Sequence, residues 1–448
     1  MSRRDLARNV SGNSRDGHVL TPPSDPCGRP SSVSPPTLIE HYFRHAYGKL
    51  VAVLVRRVGV RHLERVEDAV QGALMAALTA WVAKGIPQEP EAWLYRVAHN
   101  NLMGGLRRDA GRARILEHAG DPAEEPVEDN ISAHFDGEVQ DELLRMLFVC
   151  CDEALPQESR LALALKTLCG FSTGEIAHGL FTTEANIHKR LTRARERLRQ
   201  FPLNTQTPPL ETLKSRLPSV YAVIYLLFNE GYLSTHQEHA IRRELCDEAI
   251  RLATLLATHA VGSTPETFAL LALMHLHGAR LAARQDATGG LLLLEEQDRS
   301  SWDHARIQLG IQWLARAASG ETFTRYHAEA GIAAEHCLAP SFAQTRWSEI
   351  AELYAMLQRI DPSPLHTLNR AVAVAEWKGP EVALELLEGL VPPSWLEGHY
   401  LWVAVLADLH RRAGHVELAS RYREQALAAA PTNKVRDVLQ RRLLPAGA

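Results

Sequence analysis

The sequence predicts an all-α protein made of several helical domains, and two observations carry that prediction. Apolar residues recur at three- and four-residue spacings through most of the 448-residue chain, which is the period of amphipathic helices. In the C-terminal half, Gly414, Ala419, Ala426 and Pro431 follow one another at spacings of five, seven and five residues, as in a repeated pair of helices. A chain of this length has room for roughly two to four domains, each with its own core.

Composition and charge restrict the classes of protein that the chain can represent. The net charge is −4, so any affinity for DNA must come from local basic clusters rather than from the whole molecule. No apolar run approaches the ~18 residues that span a bilayer, and residues 1–36 lack the apolar core of a signal peptide. We expect these first residues, which are rich in Arg, Ser and Pro, to be disordered.

The cysteines are predicted to pack in the core, and neither the cysteines nor the histidines are predicted to bind a metal. The six cysteines form no CxxC pair, and the adjacent Cys150 and Cys151 lie in an apolar helical run, where we expect them in the core. The histidines lack the convergent spacing that a metal site requires. The sequence therefore predicts a reduced, cytoplasmic protein with no metal, no cofactor and no contact with a membrane.

Residues 37–110 are predicted to form three helices, the last two joined by a loop at 84–91 that two prolines interrupt. The second helix presents an outer polar side through Glu67, Asp68 and Gln71. The third helix presents a polar and partly basic side through Arg96, His99 and Asn100. It also contains Gly104 and Gly105, and a glycine inside a helix costs about 1 kcal/mol relative to alanine. We therefore expect this helix to kink or to end early.

Residues 111–141 are acidic, contain two prolines and show little periodicity, which is typical of a flexible linker. A second helical unit follows at 142–201. Within it Ser172 and Glu175 have the spacing of a capping box, which predicts the start of a short helix. Thr183 is placed to cap the next helix. Two short helices joined by a tight turn are thus predicted.

The second helix of this pair separates an apolar stripe from a basic side. The stripe, at spacings of four, three and four residues, consists of Ile187, Leu191, Ala194 and Leu198. The candidate DNA contacts lie at the cap of this helix, on the side opposite the stripe, and next to that side. They are Thr183, Ala185, Asn186, His188, Lys189, Arg190 and Arg193. Such a helix fits the major groove of DNA. Taken alone, the pattern also suits a surface helix whose charges are simply solvated.

Three segments, in this order along the chain, resemble a bacterial RNA polymerase sigma factor of the extracytoplasmic-function group. The segment EDAVQGALMAAL is similar to the family's region 2.2, EAWLYRVAHNNL to regions 2.3 and 2.4, and EANIHKRLTRARERLR to region 4.2. The resemblance covers about Thr37 to Arg199. It implies a region 2 helical bundle and a region 4 helix-turn-helix domain joined by the acidic linker.

The resemblance also implies roles for matching positions. Glu67, Asp68 and Gln71 would contact core RNA polymerase. The loop at 84–91, with Arg96, His99 and Asn100, would capture and melt the minus-ten promoter element. The candidate DNA contacts on the second helix of the helix-turn-helix would read the minus-thirty-five element. The linker would lie along the polymerase's active-site and RNA-exit path.

Residues 208–445 are predicted to form a further helical domain. Its glycine and alanine spacing matches the tetratricopeptide consensus, and the segments VIYLLFNEGYLSTH and LLLLEEQDRSSWDHARI resemble signatures of a sigma subgroup with a tetratricopeptide-like extension. The resemblance implies that this extension regulates activity, through a partner protein or an intramolecular contact. Its clustered polar residues favour a buried network over a docking surface. These residues are Asn229, Glu230, Gln297, Asp298, Arg299 and Asp303.

The sequence thus predicts a transcription initiation factor without chemistry of its own, whose partners are core RNA polymerase and promoter DNA. An alternative from another class is a tetratricopeptide scaffold that binds partners but no specific promoter. An enzyme hidden in the repeats is a third class. No Gly-rich phosphate loop, GxSxG elbow or HExxH motif supports that class.

Overall fold

The computed structural model describes residues 35–117, 135–200, 210–232 and 243–443, apart from positions 153, 181, 287, 288, 394, 395, 397 and 398. These residues form eighteen α-helices and no β-strand, which confirms the all-α prediction. The predicted N-terminal tail, except its last two residues, and most of the predicted linker lie outside the described residues. The chain divides into two compact units, one that ends at Leu227 and one that begins at Phe228.

Helices α1 to α7 and most of α8 belong to the first unit. They are α1 (Pro35–Val58), α2 (Leu63–Lys84), α3 (Pro90–Glu117), α4 (Phe135–Cys150), α5 (Gln157–Cys169), α6 (Thr173–Gly179), α7 (Glu184–Arg199) and α8 (Leu210–Tyr232). The second unit contains α9 (Arg243–Thr258), α10 (Pro265–Gly278), α11 (His304–Ala317), α12 (Arg325–Leu338), α13 (Trp347–Ile360), α14 (Pro364–Lys378), α15 (Pro380–Leu387), α16 (Tyr400–Arg412), α17 (Val416–Ala428) and α18 (Asn433–Arg442). No described helix is both long enough and apolar enough to cross a bilayer.

Helix α1 is the centre of the first unit. It packs against α2 and α3, and also against α4 and α5 from the second predicted segment. Its residues Leu50, Val51 and Leu54 are at most 2% exposed. The helices of 37–110 and those of 142–201 therefore share one core.

The inner side of α2 is largely as predicted, but its outer side is not. Val66, Val70 and Leu74 are at most 1% exposed, because their spacing places them on one helical face. Glu67, predicted to face outward, is only 2% exposed. That expectation is wrong, because helices α5 and α7 cover this part of α2.

Helix α3 passes through Gly104 and Gly105 without interruption and continues to Glu117. The predicted early end is therefore wrong. Packing of the preceding turns, where Leu94, Ala98 and Leu102 are at most 2% exposed, outweighs the low helix propensity of the two glycines. The first seven residues of the predicted linker, 111–117, belong to this helix, and its last seven, 135–141, belong to α4.

Cys150 and Cys151 lie in the core, as predicted, and neither is exposed to solvent. Burial raises the pKa of the Cys151 thiol to about 12 and holds the pKa of Cys150 well above its usual range. Both cysteines are free. Because the thiolate is the reactive form, these thiols are chemically inert in the folded protein.

In the second unit, α10 packs against α9, α11 and α12. From α13 onward, successive helices pack pairwise, and glycines form the turns between α14 and α15 and between α16 and α17. Gly379 has φ of 99° and Gly414 has φ of 78°, in the region that favours glycine. Ala426 has no solvent exposure, as its position in the predicted repeat requires.

The segment between α10 and α11 holds most of the polar residues that the sequence singles out. Buried Gln297 accepts from Arg280, and Arg299 donates to the carbonyl oxygens of His336 and Ala339 at 2.6 and 2.8 Å. The exposed Asp298 and Asp303 cap the 3₁₀ turn Arg299–Ser301 and helix α11. Gln297 and Arg299 thus favour a structural network over a docking surface, whereas Asp298 and Asp303 are exposed caps and not part of a buried network.

Two histidines of the second unit are buried without charge. His275 is 7% exposed and His327 is 6% exposed. Burial, assisted by the Arg306 guanidinium and opposed by Asp303 and Asp247, lowers the pKa of His275 to about 4. Burial likewise lowers the pKa of His327. Protonation of either ring therefore favours the unfolded chain.

We predict that Gly104→Ala stabilises the protein by about 1 kcal/mol, because alanine has the higher helix propensity and a Cβ at this position meets nothing within 4 Å. The midpoint of urea unfolding should rise. Gly85→Ala is the matched control: its Cβ also meets nothing within 4 Å, but its φ is 82°. Strain in that conformation should lower the midpoint. A Gly104→Ala variant that unfolds at lower urea would contradict this reading of α3.

We predict that the stability of the protein falls as the pH drops below about 6.5, the pKa of an unperturbed histidine. Below that pH, residue 275 binds a proton in the unfolded chain but not in the folded protein. His275 therefore lowers the free energy of unfolding by about 2 kcal/mol between about pH 7.5 and about pH 5. Urea unfolding at both pH values should show a smaller loss for His275→Leu. The exposed His304→Leu variant is the control and should keep the wild-type difference. Equal losses in all three proteins would refute the assignment.

Candidate nucleic-acid and polymerase interfaces

Helices α6 and α7 form the predicted helix-turn-helix. Local hydrogen bonds cap the N-terminus of each helix. The Ser172 backbone N–H donates to Glu175 Oε2 at 2.8 Å, and the Glu175 N–H donates to Ser172 Oγ at 3.1 Å. This reciprocal pair is the predicted capping box. The Asn186 N–H donates to Thr183 Oγ1 at 3.3 Å, so Thr183 caps α7 as predicted.

The apolar stripe of α7 faces the core, as predicted. Ile187, Leu191, Ala194 and Leu198 are at most 2% exposed. They pack against α5 and α6, where Leu165, Leu168, Ile176 and Ala177 are also buried. The orientation of α7 is therefore set by its apolar residues, and its basic side faces away from the core.

The basic side of α7 presents most of the predicted DNA contacts to solvent. The exposed members of that set are Thr183, Ala185, Asn186, His188, Lys189 and Arg193. Arg190 differs, because its guanidinium forms an ion pair with Glu158 at 2.6 Å. Glu196 is also exposed on this side, and its negative charge shortens the uninterrupted basic surface. The sixteen-residue helix is about 24 Å long, at 1.5 Å per residue.

Helix α3 presents the second predicted DNA surface. Arg96 and Asn100 are exposed, and His99 is half-buried with its ring stacked on Tyr95 at 5.9 Å between centroids. Trp93, near the start of α3, makes an edge-to-face contact with Trp81 at 5.6 Å. The aromatic pair anchors the loop between α2 and α3 next to the exposed side of α3.

The predicted polymerase-binding residues of α2 do not share one environment. Asp68 and Gln71 are exposed, whereas Glu67 is buried. The Glu67 carboxylate accepts from Thr167 Oγ1 of α5 at 2.7 Å and pairs with the Arg195 guanidinium of α7. Sequence analysis missed both partners. The available signal was that Arg195 follows buried Ala194 and lies beside the apolar stripe rather than on the opposite side.

Further charged pairs surround this contact. Glu64 of α2 pairs with Arg199 of α7 at 3.0 Å, and Arg195 lies 3.7 Å from the same carboxylate group. Arg56 of α1 pairs with the buried Glu142 of α4 at 2.5 Å. All of these pairs join helices of the 37–110 segment to helices of the 142–201 segment.

Among the described residues, no group of three or more His, Cys, Asp or Glu side chains is arranged to hold a metal ion. His275 and His277 lie in α10, whereas His327 and His336 lie in α12. The two surfaces offer charge, hydrogen bonding and aromatic stacking. These are the interactions with which proteins bind nucleic acids and other proteins.

Residues 43–112 match the family model for sigma-70 region 2, and residues 145–198 match the model for sigma-70 region 4. The fold and the two surfaces therefore define a sigma factor, which binds RNA polymerase and promoter DNA. Residues 216–318 match a family of unknown function, DUF6596. No solved structure shows significant similarity to the chain.

A curated relative shares most of the chain. It is an uncharacterized protein of Rhizobium meliloti (strain 1021), 36% identical over 375 residues, which cover 83% of this chain and 87% of that protein. A stretch that covers 83% of the chain must include the region 4 match and extend well into the C-terminal half. The chain thus belongs to the sigma-70 family of transcription initiation factors.

Proposed function

We propose that the protein is an extracytoplasmic-function type of sigma factor that acts in the cytoplasm and carries its own regulatory domain. It recruits core RNA polymerase to a promoter, and the C-terminal helical unit controls that activity. The observation that carries the proposal is the orientation of α7, with its apolar stripe buried and its Lys189 and Arg193 exposed. That orientation is what groove binding requires, and it lies within the region 4 match.

In this proposal α7 reads the minus-thirty-five element. Ala185 and Asn186 lie in the first turn, where the helix enters the major groove and meets base edges. Lys189 and Arg193 lie one and two turns further along, where they bind base edges or phosphates. Thr183 and His188 flank this surface. Arg190 takes part only after its pair with Glu158 is released.

Helix α3 captures the minus-ten element in the melted duplex. Arg96 and Asn100 supply hydrogen bonds to unpaired bases or phosphates, and the His99 ring supports stacking because Tyr95 holds it. Unstacking a base costs a few kcal/mol, which binding of the displaced base offsets. Asp68 and Gln71 on α2 supply exposed contacts to the polymerase.

The C-terminal unit supports the regulatory part of the proposal through its tetratricopeptide-like helix pairs. A cavity of about 360 Å³ lies between α13, α14 and α15, lined in part by the half-exposed Trp377 and by Arg370 and Val382. Stacked helix pairs commonly bind peptides in such grooves. The same cavity is the observation that favours the scaffold alternative, in which the N-terminal helices bind no promoter.

Run-off transcription distinguishes the two functions. With purified core polymerase and the promoter upstream of its own gene, the full-length protein should direct a specific transcript. A chain that ends after Tyr232 should change the amount of transcript without changing its start site. The cut spares α8, because Arg216 of this helix pairs with Asp152 and donates to the Phe148 carbonyl oxygen. Absence of any specific transcript from either protein would favour the scaffold.

Removal of two cations from α7 should weaken promoter binding without weakening polymerase binding. We expect Lys189→Ala with Arg193→Ala to flatten the dependence of log binding constant on log salt by up to about 2 slope units, if both residues bind phosphates. Affinity for core polymerase should remain unchanged. The control, Arg197→Ala, removes an exposed cation that donates to Gln200 near the end of the helix. An equal effect of the control would show that the contacts are not specific.

A further inference from the structure

We infer that Arg280, Arg284 and Arg299 of the second unit form a binding site for a phosphate group, carried either by the free ion or by a phosphomonoester. The three residues, which we call the arginine cluster, lie between α10 and α11. They also lie within residues 216–318, which match the family of unknown function. The inference goes beyond the proposed function, because phosphate binding by this unit does not depend on promoter recognition.

The arginine cluster carries positive charge that no carboxylate neutralises. Within the part of the chain that the structure describes, none of its three guanidinium groups forms an ion pair with Asp or Glu. Their hydrogen-bond partners are neutral oxygens. Arg280 donates to Gln297 Oε1 at 3.4 Å, and Arg284 donates to the Tyr232 carbonyl oxygen. Arginine stays protonated in proteins, so the cluster holds three positive charges.

Carboxylates in the same segment bind other groups. Asp298 precedes Arg299 in the chain, but its Oδ1 accepts from the Ser300 backbone N–H at 2.9 Å and from Ser300 Oγ at 2.7 Å. Glu296 pairs with Arg441 at 3.4 Å. The charge of the arginine cluster is therefore left without a counterion by its neighbours in sequence.

Burial makes this uncompensated charge unfavourable. Arg280 is 7% exposed. Burial lowers the pKa of Arg284 and Arg299, and the charge of Arg280 lowers each pKa further. Charges taken out of water normally have a partner of opposite sign. An anion bound at the cluster would supply that partner. Arg284 and Arg299 are only partly buried, so an anion can reach the cluster from the surface.

Aromatic rings hold the guanidinium groups in place. The Cζ atoms of Arg280 and Arg299 lie 5.2 and 4.6 Å from the centroid of one ring, that of Trp302. Arg284 Cζ lies 3.8 Å from the centroid of the Tyr232 ring. Contacts of cations with aromatic faces are attractive, and they restrict the positions of the arginine side chains. The cluster is therefore ordered before any ligand binds.

Two buried donors at the cluster lack an acceptor among the described residues. They are Arg299 Nη2 and Trp302 Nε1, and Trp302 is 3% exposed. Both groups can donate a hydrogen bond but cannot accept one. Since buried N–H groups nearly always have an acceptor, these atoms call for one. Phosphate oxygens are strong acceptors, and the guanidinium fork matches their geometry.

The charge of the cluster favours a doubly charged ligand. Two neighbouring histidines add no charge to it, because burial and then the charge of Arg280 lower the pKa of both His277 and His336 to about 3. Three positive charges from the arginines remain. A phosphate dianion balances them better than a carboxylate or a chloride ion, each of which carries one negative charge.

The test is titration calorimetry of the full-length protein with inorganic phosphate, in a chloride buffer at about pH 8, where phosphate is mostly the dianion. We expect one phosphate per chain. Arg280→Met and Arg299→Met should each raise the Kd about tenfold or more, because each removes charge-assisted hydrogen bonds. Acetate at the same ionic strength should bind the wild-type protein at least about tenfold more weakly.

Arg316→Met is the matched control. The Arg316 Cζ atom lies 4.2 Å from the Phe268 ring centroid and 4.4 Å from the Trp313 ring centroid, so this arginine is also stacked on aromatic rings. It is exposed and lies outside the cluster. The control should keep the wild-type Kd. Circular dichroism must show unchanged helix content in every variant. If both cluster variants unfold, the comparison of phosphate with acetate on the wild-type protein decides.

A second titration, with glycerol 3-phosphate, identifies the carrier of the phosphate group. Tighter binding than that of inorganic phosphate assigns the site to a phosphorylated metabolite. Equal or weaker binding assigns it to the free ion. Either result retains the site.

Three outcomes overturn the inference. They are the absence of saturable binding of both phosphate compounds, an equal Kd in the wild type and both folded cluster variants, and binding of acetate as tight as that of phosphate. None of these measurements involves transcription. A chain that initiates transcription without binding phosphate refutes the site alone, and a chain that binds phosphate without initiating transcription refutes the proposed function alone.

Discussion

The arrangement of the first unit depends on the burial of one carboxylate. Glu67 belongs to a helix of region 2, yet both of its partners, Thr167 and Arg195, belong to region 4. A buried charge requires such partners, since its desolvation is otherwise prohibitive. Other contacts join the same two groups of helices. The backbone of Gly48 lies close to the carbonyl oxygen of Leu168, and Glu64 and Glu142 form further ion pairs. The two sigma regions are thereby held in one compact unit.

Local structure was predictable from the sequence wherever a single helix determined it. The Ser172 and Glu175 capping box, the Thr183 cap and the stripe of α7 follow from spacing alone, and the structure confirms them. The positive φ of Gly414 and the burial of Ala426 agree with the repeat pattern, although the tetratricopeptide-like repeat itself stays a prediction. Periodicity reports which residues share a face, and for these elements that information is sufficient.

The same reasoning fails where another helix determines the environment of a residue. Glu67 looks like an outer residue because it is charged and stands beside Asp68, and no pattern in α2 reveals that α7 covers it. The low helix propensity of Gly104 and Gly105 predicts an early end of α3, but the packing of the turns before them maintains the helix. In each case a tertiary contact overrides a local preference.

The Gly48 contact has a consequence for substitutions at this position. Any side chain there would collide with the Leu168 carbonyl oxygen, so α1 and α5 can stay this close only while position 48 is glycine. A related chain with a larger residue at the matching position must therefore hold these two helices further apart.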